Sequence, residues 1–438
     1  MAPSPLSPVF ASHRVILLFM TTKTASVISL ALLSALAAPV HAGDWPQWRG
    51  PSRDGISRET GLLSEWPKDG PPISWKSTGL GEGYSGFSVS QGRIFTQGQR
   101  QDQEYVIALD ASTGKKIWET VTTSHTYEEG HGNGPRGTPT IDGDRLFAEA
   151  ADGTVACLET ATGKKVWSVN FVQDFGGQIP HWGYSESPLV DGANLIVTPG
   201  GRQATVAALD KSNGKVVWKT SVQDPNSRTG QADGAAYSSP LEATTGDVRQ
   251  FIVFTAKGVI GVRAANGEFL WRYNKVANGT ANIATPIYQA PFVFASSGYG
   301  TGCVLLKLTA EGGGVNATEV YFNKDMRNHY SSSVLLRDTL YGYNDTILTA
   351  MNLATGKVEW KDRSVGKGSV SEADGKLYLL GEDGVIALAE ATPDGYKEIS
   401  RFSINKGSWP TWAPLVIANG KMYLREWDNL YCFEIKAN

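Results

Sequence analysis

Val106-Ile-Ala-Leu-Asp-Ala-Ser-Thr-Gly-Lys-Lys-Ile-Trp118 returns as Val155-Ala-Cys-Leu-Glu-Thr-Ala-Thr-Gly-Lys-Lys-Val-Trp167 and as Val206-Ala-Ala-Leu-Asp-Lys-Ser-Asn-Gly-Lys-Val-Val-Trp218. Val259 to Trp271 and Leu348 to Trp360 are further copies, and Leu305–Tyr321 and Ile386–Ile399 are eroded ones. The tryptophan spacings from Trp118 to Trp271 are 49, 51 and 53 residues. In each copy an apolar run ends in a Thr-Gly or Asn-Gly pair, which supplies the positive φ of a tight turn, and a second strand carries the Trp. Another hairpin precedes each copy, with turns such as Asp142-Gly143, Asp191-Gly192 and Asn419-Gly420. The unit is therefore four strands, A to D, in about 40–50 residues, the size of a propeller blade.

Counting the units fixes the closure. D strands fall at Trp75, Trp118, Trp167, Trp218, Trp271, Tyr321, Trp360 and Ile399. A–B–C units begin near Tyr84, Gly137, Tyr184, Tyr237, Ile283, Tyr330, Ser369 and Thr411. The last unit has no D strand after it, and Ile73–Ser77 has no blade before it. The reading is an all-β, eight-bladed β-propeller of four-stranded antiparallel blades, its ring closed by that N-terminal strand, which leaves no free end edge. Trp75, Trp118, Trp167, Trp218, Trp271 and Trp360 are expected to be structural, each docking on the glycine turn of a neighbouring blade.

The 438 residues hold 40 Lys+Arg against 43 Asp+Glu, and 41% are hydrophobic. This composition excludes disorder, and the slight negative charge argues against a nucleic-acid surface. Residues 26–40 form a short apolar stretch after Lys23, and Val40-His41-Ala42 offers a cleavage site. Residues 1–42 are thus expected to be a signal peptide, too short for a membrane span. Met20 opens a well-proportioned signal of its own, which leaves two readings of the start. The expected organisation is export to the periplasm or beyond, an arm over 43–72, and a monomeric propeller over 73–438. Cys157, Cys303 and Cys432 fall in separate blades, so all three are expected to be free, small buried hydrophobes.

The pattern Ala108-x-Asp110-x-x-Thr113-Gly114-Lys115-x-x-Trp118 resembles the tryptophan-docking repeat of the quinoprotein (PQQ-like) propeller family. Asp44-Trp-Pro-Gln-Trp-Arg-Gly-Pro-Ser-Arg-Asp-Gly55 resembles the start of its secreted, BamB-like bacterial branch. The resemblance implies two activities: dehydrogenases that use PQQ with calcium, and binding or scaffold propellers. No adjacent Cys pair, CxxCH motif or lipobox Cys is present. The first reading is a non-catalytic binding or scaffold propeller for a protein partner, a polar small molecule or a glycan. The alternative is a PQQ-dependent dehydrogenase.

D-to-A and B-to-C loops share one face of a propeller, and the candidate residues concentrate there. His125, His131, Arg136, His181, Trp182, Asp233, His329 and Trp409 fall in D-to-A loops, and Glu186 enters an A strand. The other face carries two-residue turns. His125 and His131 flank Glu128 and Glu129, as a metal or acid/base site or as a solvated loop. Glu186 is read as a calcium ligand or as the partner of Arg136. Asp233 is the best-placed lone acid. The Tyr-Ser pairs at 84–85, 184–185, 237–238 and 330–331 are read as a ring of hydroxyls at the channel mouth or as a repeated inter-blade hydrogen bond.

Overall fold

The computed structural model describes residues 43–125 and 132–437. The expected signal peptide lies outside the described residues, as do His131, Glu128 and Glu129. Among the described residues, eight four-stranded antiparallel blades follow one another along the chain, and the seventh gains a fifth, parallel strand from the N-terminal arm. The first blade shows why the sequence folds this way. Its strands are Ser88–Ser90, Arg93–Arg100, Gln103–Asp110 and Lys116–Thr123. Val106–Leu109 is buried on both faces and is continuously apolar, whereas the D strand alternates with solvent and carries charge. Ile73–Ser77 pairs with Asn429–Glu434 and completes the eighth blade. Among the described residues the one helix, Phe171–Phe175, is capped by Asn170 and ended by left-handed Gly176. No helix among the described residues is long and apolar enough to cross a membrane.

The docking of D strands is regular. Opposite each repeat Trp stands a small residue: Ala108 faces Trp118, Cys157 faces Trp167, Ala208 faces Trp218 and Cys432 faces Trp75, each beside a β-bulge. The ring then reaches the next blade. Trp118 Nε1 donates to the Thr160 carbonyl at 3.0 Å, and its ring covers Gly163, where a Cβ would stand 2.5 Å from Cε3. Trp75, Trp167 and Trp218 repeat this on Ala111, Lys211 and Ala264 with Gly114, Gly214 and Gly267. In the eroded copy Tyr321 keeps the contact through its hydroxyl, 2.9 Å from the Leu353 carbonyl.

Trp271 departs from the expected docking. Its Nε1 donates to Gln250 Oε1 of its own blade at 2.7 Å, over Gly261. The next blade has no Thr-Gly turn. Its long hairpin of Gly302–Glu311 and Gly314–Asn323 lies beside Phe269–Tyr273 instead. The three cysteines are free and buried.

The arm does not lie outside the ring. Residues 45–59 run through the channel and touch every blade. Trp45 exchanges backbone hydrogen bonds with Val89 of the first blade, and the Pro46 carbonyl accepts from Ile141 of the second. Arg53 donates to the carbonyls of Ser187, Pro188 and Pro240 in the third and fourth. Trp48 Nε1 reaches Thr285 Oγ1 of the fifth at 2.9 Å, and Arg49 the Ser333 carbonyl of the sixth at 2.6 Å. Ile56–Ser57 pairs in parallel with Gly368–Ala373 of the seventh. Glu59 accepts from the backbone of Asn419 and Gly420 in the eighth. Fork-shaped guanidinium groups suit this task, since each satisfies several inward carbonyls that would otherwise be buried unpaired.

Candidate functional site

Above this plug the loop face holds a cavity of about 410 Å³. Trp48 contributes from the arm, Tyr84, Trp182, Tyr237, Tyr330 and Trp412 from D-to-A loops, and Tyr299 from a B–C turn. Arg136, Ser185, Ser187, Ser239, Thr280 and His329 supply the polar lining. The volume falls within the small-molecule range of roughly 300–1,000 Å³.

The Tyr-Ser pairs explain the aromatic wall. Ser85, Ser238 and Ser331 turn away from the cavity, and their Oγ atoms donate to Gly137, Ala284 and Gly368 in the following blade. The alternate arrangement of the chain leaves Tyr84, Tyr237 and Tyr330 on the cavity side. The pairs are thus inter-blade hydrogen bonds more than a ring of free hydroxyls. At Tyr184-Ser185 the roles exchange. Tyr184 enters the core and donates to the Pro199 carbonyl at 2.9 Å, and Ser185 faces the cavity. Trp182 stands in its place, 5.7 Å from Tyr237.

Two aromatic residues at this face hold backbone conformations that disfavour bulky side chains. Tyr299 has φ +52° in the turn between Gly298 and Gly300, and Trp427 has φ +49°. Tyr299 meets His329 at 4.8 Å between ring centroids, and Trp427 meets Tyr84 at 5.2 Å and Trp409 at 5.0 Å.

Among the described residues of the lining, Arg136 is the one cation, and Lys367 lies outside the lining over the Tyr330 ring. Arg136 lies over the Tyr84 ring and donates to the carbonyls of Trp182 and Gly132. Burial, and then the Lys367 ammonium, pull the His329 pKa down, so its imidazole is neutral at pH 7. Its Nδ1 is buried without a hydrogen-bond partner. Burial holds the Tyr330 phenol well above its usual range, hence uncharged. No carboxylate or cysteine stands among the described residues of the lining.

Of the residues singled out by sequence, Arg136, Trp182 and His329 meet at this cup. His181 is exposed beside Trp182, edge-on at 4.7 Å. His125 is exposed at the end of a D strand, away from the cup lining. Glu186 neither faces the cup nor pairs with Arg136. It is buried with Glu149, whose Oε1 accepts the Glu186 backbone N–H, and the neighbouring cation is Arg53 of the plug. Asp233 is not a lone acid either: Arg272 bonds it at 2.5 Å, and Thr255 and the Lys257 backbone N–H also donate to it. Sequence reasoning missed Trp48, Tyr299 and Trp412. The available signals were an aromatic between two glycines and a second Trp three residues after Trp409.

The family described as outer membrane protein assembly factor BamB matches residues 64–170 and 102–362. The chain belongs to this family of PQQ-like propellers. A BamB from Shewanella oneidensis is 24% identical over 260 residues, which cover 56% of this chain and 60% of that protein. The chain thus spans less than two thirds of that curated BamB. The crystal structure of BamB from Moraxella catarrhalis superposes with a TM-score of 0.54 at 16% identity, covering 77% of this chain and 95% of the other. Quinohemoprotein alcohol dehydrogenase from Comamonas testosteroni gives 0.65 at 12% identity, covering 90% and 81%. These likenesses establish the fold.

The dehydrogenase likeness sets a test for the cup. A calcium-bound quinone needs hard oxygen ligands, carboxylates above all. The described lining offers only hydroxyls, phenols, one imidazole and one guanidinium. Among the described residues no group of three or more His, Cys, Asp or Glu is placed to hold a metal. The described residues of the lining do not fit that cofactor.

Proposed function

We propose that this chain is an exported, non-catalytic binding propeller that takes its ligand in the aromatic cup of the loop face. The observation that carries the reading is the lining: seven Trp or Tyr side chains around a blind cavity, with no described carboxylate to act as a general base. Residues 1–42 serve export to the periplasm or beyond, and the mature propeller acts there. The curated relatives are named for outer membrane protein assembly, which supports binding and scaffolding as the family's working mode. The PQQ-dependent dehydrogenase is the second reading, favoured only by the shared fold.

Both readings are tested together. Tryptophan emission is followed while sugars, phenols, quinones and short peptides are added. At least one class is expected to shift the emission of the wild type, and Trp412→Ala is expected to remove the shift. Saturable binding that survived Trp412→Ala but was lost in Lys115→Glu/Lys164→Glu would move the site to the opposite face. Dye reduction that depends on added PQQ and calcium would replace the binding reading by the dehydrogenase.

A further inference from the structure

We infer that the ligand is a linear oligosaccharide, with one terminal ring in the cup and the following rings on the groove beside the first blade. The inference rests on the binding reading above and adds the ligand class. It starts from features that the cup alone leaves unexplained. Trp409 is 37% exposed and stacks on Trp427, with centroids 5.0 Å apart and planes 21° from parallel. Trp427 in turn touches Tyr84, a wall of the cup. On its other side Trp427 lines a second, open groove of about 700 Å³, walled by Gln99, Arg100, Gln103 and Asp428. Cup and groove are therefore linked through the Tyr84–Trp427 contact.

The chemistry of this path is that of a sugar chain. A pyranose ring has apolar C–H faces and hydroxyls around its edge. It lies on aromatic faces while its edge meets amides, carboxylates and hydroxyls. Both halves of the path leave such an edge partner waiting. Gln99 is 2% exposed, lines the groove, and its Oε1 is buried without a partner. His329 lines the cup, and its Nδ1 is buried without a partner. Backbone strain adds an independent sign. Among the described residues Tyr299 and Trp427 are the aromatic residues at positive φ, and strain of this kind gathers where a side chain must be presented. A single flat ring would fill the cup and leave Trp409 and the groove unused.

The test is length dependence. Cello-, xylo-, chito- and galacturono-oligosaccharides of two and of six rings are titrated by calorimetry. In at least one series the six-ring chain is expected to bind about tenfold tighter than the two-ring one. Trp409→Ala, at an exposed site, is expected to remove that gain, leave two-ring binding within about twofold, and leave the melting temperature unchanged. Trp427→Ala should act in the same direction. Equal affinity for two and six rings, or a gain that survives Trp409→Ala, would overturn the inference. Binding of phenols, quinones or peptides with no sugar bound would also overturn it while sparing the cup. Loss of the cup reading itself is recognised separately, by ligand binding that ignores Trp412→Ala.

Discussion

At the rim of the propeller, Trp75, Trp118, Trp167 and Trp218 each meet a glycine of the next blade through the same indole-to-carbonyl hydrogen bond. In the centre, Trp48, Trp182 and Trp412 line one cavity but follow no common contact pattern. Trp48 bonds Thr285, Trp182 packs on Tyr237, and Trp412 lies between Tyr84 and Tyr330 and donates to Glu382. The rim repeats because each blade solves the same packing problem. The centre breaks the repeat because one plug and one cavity must serve eight blades. Repetition therefore marks the residues that make the ring, and the cup is lined where the repeat is broken.

The largest effect should come from the segment that serves both regions. Deleting residues 43–78 removes the plug and the closing strand, and the cooperative thermal transition is expected to vanish in calorimetry. A truncated chain that melted like the full one would detach ring closure from this segment. Arg53→Ala isolates the plug. It leaves three inward carbonyls and the Glu186 region without their cation, and urea titration should show a loss of about 3–5 kcal/mol.

At the rim, Trp118→Ala is expected to cost about 3–5 kcal/mol. Gly163→Ala should cost about 1–3 kcal/mol, because φ is +72° and the new methyl would press on the Trp118 ring. Their double mutant should fall short of the sum, since both break one contact. Trp271 is the control that sharpens the comparison. Its partner is Gln250 in its own blade, so substitutions in the Gly312-Gly313 turn should show no coupling to it.

The rim was legible because its information is local. Thr113-Gly114-Lys115 and Trp118 lie within one hairpin, and the count of such hairpins gives the ring. The plug was not, because Trp48 and Arg49 find their partners 237 and 284 residues away, and no spacing rule links them. The loop face was chosen from loop lengths, and of its candidates Arg136, Trp182 and His329 line the cup. Glu186 misled for the same reason that the plug was hidden: the cation beside it belongs to the arm. Trp427 sits in a turn whose backbone strain has no sequence signature, and Tyr299 had only its two flanking glycines as one.

The buried acids between the two regions give a smaller, pH-dependent effect. Burial raises the carboxyls of Glu104 and Glu186 to about 8, and Glu149 rises well above the usual range beside Glu186. The unfolded chain titrates these groups near 4.3. Between these values the folded state holds more protons than the unfolded one, so stability is fully present below about pH 4.3 and is lost as pH rises towards 8. Asp233, which burial raises to about 6, and Glu372, which burial also raises, act in the same direction, so the window to scan is pH 5 to 8. Denaturation midpoints should fall across it, and Glu104→Gln should flatten the slope. A slope unchanged in Glu104→Gln would assign it to other groups.

The smallest expected change in stability is also the one that separates structure from use. Tyr299 is 44% exposed and is held at φ +52°, where a side chain costs about 1 kcal/mol relative to glycine. If the ring were there to hold the fold, Tyr299→Gly would destabilise it. If the strain is tolerated to present the ring to a ligand, the same change relaxes the turn, and stability should hold or rise by about 0.5–1 kcal/mol. Tyr299→Ala keeps the strained backbone and removes the ring, so it should be the less stable of the two. Both variants should weaken binding in the cup alike, because both lose the face opposite His329. A glycine variant that melted earlier than wild type would place Tyr299 with the rim tryptophans, as packing. A glycine variant that melted later and bound more weakly would place it with the cup.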